Sequence, residues 1–374
     1  IDQAILNGAK CILCQIVPEK IVNSITYIIV KNSRTEYSKI CSNFFDNPSE
    51  KLNLIGITGT NGKTTTATFL YEILQLQNIK SGLISTNCIK IHNEKFDTNL
   101  TTPDSYEINF YLNEMVSYGV EYCFMEVSSH SIVQDRIKGL NFKIGVFTNI
   151  SHDHLNYHKT FKNYIEAKKI FFDNLSSKSV SLYNSDDKNG RIMIQNTSSK
   201  IKSFSIHKNS DYKIKIVENN LEGLVVEIQN NVIHSQISGN HNAYNLIAAY
   251  AVCDLLGLEK QEITQSLSIL KSVEGRFEVI YENNKIGIVD FAHTPDAIKK
   301  VLLSLREYVS EKNKLITIVG CGGGRDKLKR FKMGSISSSL SDISIYTSDN
   351  PRDEDPNQII KDMLEGVETE NRDK

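Results

Sequence analysis

The sequence predicts an α/β protein whose sheets are mainly parallel, and three observations support this class. Short β-branched segments recur along the 374 residues, each followed by a loop rich in Gly, Asn, Ser or Asp and then by a helical stretch. Such alternation is typical of doubly wound sheets. The polar motifs lie in the loops after these strands, where parallel sheets bind ligands. The composition, 40% hydrophobic and 23% charged, is that of a globular protein.

The elements follow this pattern along the chain. Strands are predicted at 52–58, 121–127, 144–149, 180–184, 315–320 and 343–348. Between about 200 and 236 the pattern changes to that of an antiparallel meander. A short helix and a strand are expected within 1–17, and a helix-like segment at 355–374.

Charge and hydropathy exclude several classes of protein. Lys plus Arg (43) balance Asp plus Glu (44) to a net charge of −1, so no basic field would hold a nucleic acid or an anionic membrane. Apolar runs such as 25–30 are far shorter than the ~20 residues that span a bilayer. The seven scattered cysteines predict a reduced, cytoplasmic protein, with Cys11 and Cys14 as buried apolar thiols.

A glycine-rich segment follows the strand at 52–58. It reads Gly59-Thr60-Asn61-Gly62-Lys63-Thr64-Thr65 and leads into a helix predicted at 67–75. In such a unit, backbone N–H groups and the helix N-terminus bind phosphate, the lysine contacts the β- and γ-phosphates, and the next hydroxyl binds Mg²⁺. The strict spacing would place glycine where this chain has Ile57, so the loop is a variant. We therefore predict that these seven residues bind ATP; an incidental glycine-rich turn fits the context less well.

Two further strand ends carry a carboxylate and an imidazole. Glu126 ends one apolar strand, and His154 lies just beyond the next. Groups at adjacent strand ends can approach the same metal-bound phosphate, although Mg²⁺ prefers oxygen ligands to histidine. For His130, His152 and His158 we expect ordinary hydrogen bonding in polar loops.

One lysine falls on an apolar helix face. The helix predicted at 161–175 places Phe161, Ile165, Lys168, Phe172 and Leu175 on one side. Loss of solvation there would lower the pKa of Lys168 and leave a neutral amine that CO₂ can carbamylate. From the pattern alone, a snorkelling lysine or a salt bridge is the preferred interpretation. Lys169 is expected to point into solvent.

A series of motifs, in order along the chain, resembles the Mur ligase family. The motifs are GTNGKTT (59–65), TTPD (101–104), MEVSSHSIVQDR (125–136), TNISHDHLNYH (148–158), EAKKIFF (166–172), GNHNAYN (239–245), GRFE (275–278), VDFAHTPD (289–296) and DNPRDEDP (349–356). Their order makes the resemblance specific and extends it over essentially the whole chain. The phosphate loop alone would fit any Mur or folylpolyglutamate-type ligase.

The resemblance implies three domains. They are a partial UDP-substrate-binding domain at 1–50, a central phosphate-loop ATPase domain at 51–272 and a partial Rossmann-like, amino-acid-binding domain at 273–374. The family's uridine-binding DSR segment would precede Ile1, and its GKGHE segment would follow position 374, so we expect both outer domains to be incomplete.

The resemblance also implies an activity. It is ATP-driven amide ligation in cytoplasmic peptidoglycan precursor synthesis, in which the γ-carboxylate of D-Glu in UDP-MurNAc-L-Ala-D-Glu becomes an acyl phosphate that the amine of meso-diaminopimelate attacks. The expected cofactors are ATP, two Mg²⁺ ions and a CO₂-derived carbamate on Lys168. A monomer that binds neither nucleic acid nor membrane is expected.

The resemblance implies five roles for individual residues. Thr64, Glu126, His154 and Lys168 would bind Mg²⁺, and Lys63, His154 and Lys168 would be catalytic. Asn242, Arg276 and Asp290 would join the phosphate loop at ATP. Thr101, Thr102, Ser128, Gln134 and Arg136 would bind the UDP-linked acceptor. Arg325, Asp349, Asn350, Pro351 and Arg352 would bind diaminopimelate.

Arg352 decides the predicted amino acid, because its planar guanidinium can bind the second carboxylate that diaminopimelate has and lysine lacks. The chain departs from the common pattern at Gly324, Leu328 and Phe331, where Asp, Gly and Pro are frequent, and these changes should affect loop stiffness more than chemistry. At Leu100 some members have Asn, so one polar contact to the acceptor is in question.

Three alternatives remain open. A related ligase that adds L-lysine would share every motif except the arginine of DNPR. A folylpolyglutamate-type ligase would share the phosphate loop but lack TTPD, EVSSHS and DNPR. A non-catalytic protein would bind ATP without ligating, but the intact Lys63, Glu126, His154 and Lys168 argue against it.

Overall fold

The computed structural model describes residues 1–283, 285–310 and 312–371. The strands are β1 Cys11–Cys14, β2 Thr26–Ile29, β3 Asn53–Thr58, β4 Ser81–Ile84, β5 Ile89–Ile91, β6 Glu94–Phe96, β7 Tyr122–Glu126, β8 Ile144–Phe147, β9 Val180–Asn184, β10 Lys200–Ser205, β11 Tyr212–Asn220, β12 Gly223–Ile228, β13 Asn231–Ser235, β14 Glu278–Glu282, β15 Lys285–Val289, β16 Ile316–Cys321 and β17 Ile343–Ser348. The helices are α1 Asp2–Leu6, α2 Ser33–Phe44, α3 Lys63–Leu76, α4 Ser105–Ser117, α5 Ser129–Val133, α6 Leu155–His158, α7 Phe161–Asp173, α8 Gly190–Met193, α9 Asn240–Leu255, α10 Lys260–Ile269, α11 Pro295–Arg306, α12 Leu328–Leu340 and α13 Pro356–Leu364.

One large sheet dominates the molecule. Within the described residues it contains eleven strands, in the order β13-β12-β11-β10-β9-β8-β3-β7-β4-β5-β6. The strands from β11 to β4 in this order pair in parallel, and antiparallel strands extend both edges. Because β3 lies between β7 and β8, the carboxyl ends of these three strands meet at one edge. The α/β class is confirmed.

Helices cover both faces of this sheet. α3 and α9 contribute buried apolar side chains on one face, and α4 and α7 do so on the other. Both faces of the central strands are therefore apolar, as parallel sheets require. A third cluster forms around β16, α11, α12 and α13. This distribution is compatible with domains at 51–272 and 273–374, whose boundaries stay a prediction.

Three of the sequence motifs contain the N-cap residue of a helix. Asp104 of TTPD accepts the N–H of Glu107 at 2.9 Å and begins α4. Thr294 of VDFAHTPD and Asp355 of DNPRDEDP cap α11 and α13, each followed by proline in the first turn. Side-chain oxygens at this position satisfy N–H groups that the helix leaves unpaired, and proline needs no such partner. The motifs thus define where helices begin beside the strand ends.

The structure corrects several expectations. β10 and β11 pair in parallel, so only β11–β13 form the predicted antiparallel meander. Lys169 is 5% exposed, because α7 is covered on more than one side, and it forms an ion pair with Asp173. Cys11 is exposed and Cys14 half-buried, since β1 and β2 form only a two-stranded sheet. The helix predicted at 355–374 ends at Leu364, and its last three positions lie outside the described residues.

None of the helices in the described segments is long and apolar enough to cross a membrane.

We predict that Phe171→Ala strongly destabilises the fold. Phe171 is 3% exposed and packs edge-to-face on Phe142, so truncation would leave a cavity costing about 3–5 kcal/mol of unfolding free energy. Phe44→Ala is the control, because Phe44 is 74% exposed and should change stability by only about 0.5 kcal/mol. Urea denaturation measures both, and equal losses would contradict the packing described here.

Candidate functional site

A cleft of about 430 Å³ opens at the carboxyl ends of β3 and β7, and residues beyond position 275 form its opposite wall. Many of the predicted site residues line it. They are Thr60, Asn61, Gly62, Lys63, Thr64, Thr65, Thr101, Glu126, His154, Asn242, Arg276, Asp290, Arg325, Asp349, Asn350 and Arg352. Residues predicted to bind phosphate and residues predicted to bind an amino acid therefore face one shared space.

The glycine-rich loop lies tightly against the end of β8. Gly59 has φ 153°, and a Cβ there would overlap the hydroxyl oxygen of Thr148. The Thr148 hydroxyl instead donates to the carbonyl of Asn61 at 2.7 Å. Gly62, at φ 86°, begins α3. Glycine is thus required at position 59 by close approach and at position 62 by conformation, and the loop amides lie at a helix N-terminus suited to anions.

Lys63 folds back over this loop. Its Nζ donates to the carbonyls of Gly59 and Thr60 at 3.1 and 2.9 Å. Desolvation by burial lowers the pKa of Lys63, although the charges of Glu126 and Asp153 act in the opposite direction. A phosphate in the cleft would give this ammonium an anionic acceptor in place of neutral carbonyls.

Glu126 and Thr64 provide oxygen atoms suited to Mg²⁺. Glu126 is fully buried; its Oε1 accepts the N–H of Thr86 at 2.7 Å, whereas Oε2 is buried without a hydrogen-bond partner. The Thr64 hydroxyl accepts from Arg276 at 3.2 Å. No group of three or more His, Cys, Asp and Glu side chains in residues 1–283, 285–310 and 312–371 could hold a metal ion. Mg²⁺ needs few protein ligands when substrate phosphates and water supply the others, so these residues fit it.

His154 lies beside this region in a left-handed conformation, φ 55°, at the start of α6. Its Nε2 is 3.2 Å from the Asp153 carboxylate. Burial lowers the pKa of His154, so the imidazole is neutral near pH 7 and keeps a nitrogen lone pair that could bind a metal ion. Its ring also contacts that of His130, 4.9 Å between centroids.

Ordinary hydrogen bonding was expected for three further histidines, and they differ in their contacts. His130 makes ring contacts with His154, Tyr157 and His158. His158 is buried and hydrogen-bonds the Ser129 hydroxyl at 2.9 Å. His152 lies 3.5 Å from Asp326. The prediction of ordinary hydrogen bonding is thus confirmed for His158. The contact of His152 with Asp326 joins the central part of the chain to its C-terminal part.

Lys168 lies beneath the loop and not on the cleft surface. It is 1% exposed, and its Nζ donates to the Gly59 carbonyl at 2.9 Å and reaches the Thr58 hydroxyl at 3.4 Å. It also lies over the Tyr164 ring at 4.9 Å. Desolvation, and secondarily the charge of Lys63, holds the pKa of Lys168 well below its usual range. The preferred interpretation from the pattern alone, a snorkelling lysine or a salt bridge, does not describe this buried side chain.

The residues predicted to bind the acceptor form a connected network behind the cleft. Arg136 donates to the Thr102 carbonyl at 2.8 Å and to the Gln134 side chain, and the Thr102 hydroxyl receives the N–H of Ser128 at 3.0 Å. Of this set, Thr101 lines the cleft. The network orders the segment between β7 and α5, and its role toward an acceptor stays a prediction.

Residues of the C-terminal part complete the site. Arg276 stacks on Phe291, 4.5 Å from the ring centroid, and its Nε is buried without a hydrogen-bond partner. Both oxygens of Asp290 accept backbone N–H groups, from Phe277 and Ala292, at 2.8 Å each. Asp290 therefore shapes the segment that carries Arg276, and burial raises its pKa.

The two loops predicted to bind an amino acid lie against each other. Arg325 and Arg352 are exposed at the cleft. Arg352, at φ 50°, donates to the Gly323 carbonyl at 2.5 Å, and the Gly323 N–H donates to the Asn350 carbonyl at 2.8 Å. The two guanidinium groups thus come from loops that hydrogen bonds join.

The cleft also contains residues that the sequence analysis did not select. Asp153, His293 and Lys329 line it, and Asp153 lies 3.9 Å from His293. Lys329 is 8% exposed. Asp153 and His293 lie within recognised motifs, whereas Lys329, on α12, lies in none of them. Polar residues at these positions carry no periodic signal that would single them out.

Comparison with known proteins gives a family for this architecture. The model of the Mur ligase middle domain matches residues 57–253, and that of the Mur ligase glutamate ligase domain matches residues 275–374. The chain belongs to the Mur ligase family. The resemblance seen in the motifs is therefore confirmed.

Similar proteins support this membership. Two relatives named UDP-N-acetylmuramoyl-L-alanyl-D-glutamate–2,6-diaminopimelate ligase, from Bacteroides thetaiotaomicron and Cytophaga hutchinsonii, are 46% and 47% identical. The matches cover 99% and 98% of this chain and 77% and 76% of those proteins. A solved structure of a ligase with the same name matches with a TM-score of 0.73 and 31% identity, covering 98% of this chain and 76% of that one.

We predict that Gly59→Ala weakens triphosphate binding by this Mur ligase. The added Cβ would meet the Thr148 hydroxyl, and overpacking of about 1–3 kcal/mol corresponds to about a 5- to 150-fold loss of affinity if it displaces the loop. Titration with a fluorescent ATP analogue measures the affinity.

Gly257→Ala is the matched control for Gly59→Ala, because Gly257 also has positive φ but a Cβ there meets nothing within 4 Å. If Gly59→Ala binds the analogue as tightly as Gly257→Ala does, the close approach at Gly59 has no role in binding.

Proposed function

We propose that this protein uses ATP to join meso-diaminopimelate to the D-Glu γ-carboxylate of UDP-MurNAc-L-Ala-D-Glu. The observation that carries the proposal is the shared cleft, in which the phosphate loop with Lys63 faces the loops with Arg325 and Arg352. Ligation requires an activated carboxylate and an incoming amine in one place, and a cleft lined by both sets of residues supports such an arrangement. The relatives that are 46% and 47% identical are named for this reaction.

In the proposed reaction the γ-carboxylate of D-Glu attacks the γ-phosphate of ATP and releases ADP. The amine of diaminopimelate then attacks the acyl phosphate, and phosphate leaves from the tetrahedral intermediate. Loop amides at the N-terminus of α3 and the Lys63 ammonium would stabilise the charge that develops on the phosphoryl group. Arg276, which contacts Thr64, would add a second cation at the nucleotide.

Exclusion of water is the second requirement, because water would hydrolyse an acyl phosphate. The cleft is closed on one side by residues 290–293 and on the other by the glycine-rich loop. The Asn61 side chain and Asp296 on α11 approach to 3.4 Å across it. Such contacts hold the two walls together and would align the amine with the acyl carbon.

Mg²⁺ and a carbamate would complete this site. The buried oxygen of Glu126, the Thr64 hydroxyl and His154 would hold the metal, which supplies charge neutralisation for the phosphates. Lys168 suits carbamylation because its amine is buried. Its neighbours are the Gly59 carbonyl, the Thr58 hydroxyl and the face of the Tyr164 ring. A carbamate keeps one N–H, which could retain the bond to the Gly59 carbonyl.

The proposal also covers the substrates and the cellular location. Arg352 favours diaminopimelate over L-lysine, because its guanidinium can bind the second carboxylate through two N–H groups. The UDP-linked acceptor is favoured over a folate, because a folylpolyglutamate-type ligase would lack the TTPD and DNPR segments. These segments place Thr101 and Arg352 at the cleft. We infer a monomer that acts in the cytoplasm.

Phosphate release from ATP tests the function. With UDP-MurNAc-L-Ala-D-Glu and diaminopimelate we expect sustained release, and with L-lysine in its place we expect little. Arg352→Ala should raise the KM for diaminopimelate about tenfold or more, which corresponds to loss of a charge-assisted hydrogen bond, without changing the KM for the acceptor.

Arg191→Ala is the control for the Arg352 variant, because Arg191 is exposed on α8. Release that does not depend on any amino acid, or an equal rise of both KM values in Arg352→Ala, would refute the assignment of substrate and residue.

We predict that Lys168→Ala abolishes ligation and retains ATP binding. The companion measurement is ¹³C NMR in labelled bicarbonate, in which the wild-type protein should show a carbamate signal that Lys168→Ala lacks. Lys169→Ala is the control, because Lys169 is buried on the same helix but pairs with Asp173. A signal retained in Lys168→Ala, or its absence from the wild-type protein, would exclude carbamylation of Lys168.

A further inference from the structure

Arg330 is an arginine buried without any exposure in the C-terminal part of the chain. It lies on α12, and its guanidinium bonds both oxygens of Glu354 at 3.0 Å. It also bonds Asp362 on α13 at 2.8 Å. These bonds to two carboxylates compensate the cost of burying the charge of the guanidinium.

Glu354 connects this arginine to both amino-acid loops. It lies two residues beyond Arg352, in a turn where its own N–H donates to the Pro351 carbonyl at 3.0 Å. Its Oε1 accepts the N–H of Gly324 at 2.6 Å, directly before Arg325. One carboxylate thus joins the loop at 322–327 to the loop at 349–354.

The loops at 322–327 and 349–354 pack so closely that neither can shift much relative to the other. A Cβ at Gly323 would overlap the Pro351 carbonyl, and one at Gly322 would lie 3.2 Å from the Arg352 guanidinium. Lys327 adds a contact with Glu354 at 3.2 Å. A shift of Glu354 would therefore move both loops, whereas a shift of Asp362 would act first on α13.

We propose that Glu354, held by Arg330, is a positioning residue that sets the separation of Arg325 and Arg352 and thereby the preference for an amino acid with two carboxylates. This inference rests on the proposed function. Glu354 and Arg330 do not line the cleft, so they act through the two arginines that do. Buried ion pairs contribute little net stability but can fix a single arrangement, which is the role assigned here.

The proposal is tested with Glu354→Gln and Asp362→Asn. Both variants remove one carboxylate partner of Arg330, but Glu354 contacts the loops and Asp362 does not. Glu354→Gln should raise the KM for diaminopimelate by about tenfold or more, as misplacement of positioning groups does, and leave the KM for ATP and acceptor within about twofold. The preference for diaminopimelate over L-lysine should fall in parallel. Asp362→Asn should leave these values within about twofold of the wild type.

Hydrogen exchange in the ligand-free protein gives a readout that needs no substrate. Peptides covering 322–327 and 349–354 should exchange faster in Glu354→Gln than in the wild type, whereas in Asp362→Asn faster exchange should be confined to α13. Equal effects of the two variants on KM and exchange would mean a merely structural ion pair and overturn the proposal. Unchanged loop exchange in Glu354→Gln would also overturn it. If the wild type does not use diaminopimelate, the proposed function fails, and the loop exchange still decides whether Glu354 positions the arginines.

Discussion

The amino groups of two lysines converge on the carbonyl oxygen of Gly59, and the site depends on this arrangement. Lys63 approaches from the start of α3 and Lys168 from α7, at 3.1 and 2.9 Å. Burial, and secondarily the charge of Lys63, lower the pKa of Lys168, and both lysines donate to neutral carbonyl or hydroxyl groups. A triphosphate would give Lys63 an anionic acceptor, and the low pKa of Lys168 favours the neutral amine that CO₂ can carbamylate. The fold thus places both amino groups before any anion arrives.

The sheet makes that arrangement possible. β3 lies in its interior, so the loop after it has the ends of β7 and β8 on either side. Glu126 comes from β7, and Thr148, which prevents any side chain at position 59, follows β8. α7 carries Lys168 beneath the loop because Phe171, one turn later, packs into the core below. Apolar packing therefore determines where the buried charge lies.

Local patterns in the sequence predicted the parts of this structure that local forces determine. The strand at 180–184 and that at 343–348 were predicted with their observed bounds, because β-branched runs between turn residues have few alternatives. The phosphate loop was predicted from the spacing of its glycines and lysine between a strand and a helix. The burial of Lys169 could not be predicted, since a helix pattern does not say how many neighbours cover the helix. The parallel pairing of β10 and β11 could not be predicted either, because it depends on tertiary contacts. Glu354 and Arg330 are 24 residues apart, and neither periodicity nor spacing relates them.

The exposed arginines pose the remaining physical question, which is how they could discriminate between amino acids. An exposed ion pair contributes about 0–1 kcal/mol, because water screens it and the side chains lose entropy. A tenfold preference requires about 1.4 kcal/mol. Arg352 and Arg325 can exceed the exposed value only if they are held in place and the ligand excludes water. The hydrogen bond from Arg352 to Gly323 restricts one of them, and the ion pair between the buried Arg330 and the half-buried Glu354 restricts the loops that carry both. Selectivity for a second carboxylate therefore depends on a charge that never contacts the substrate.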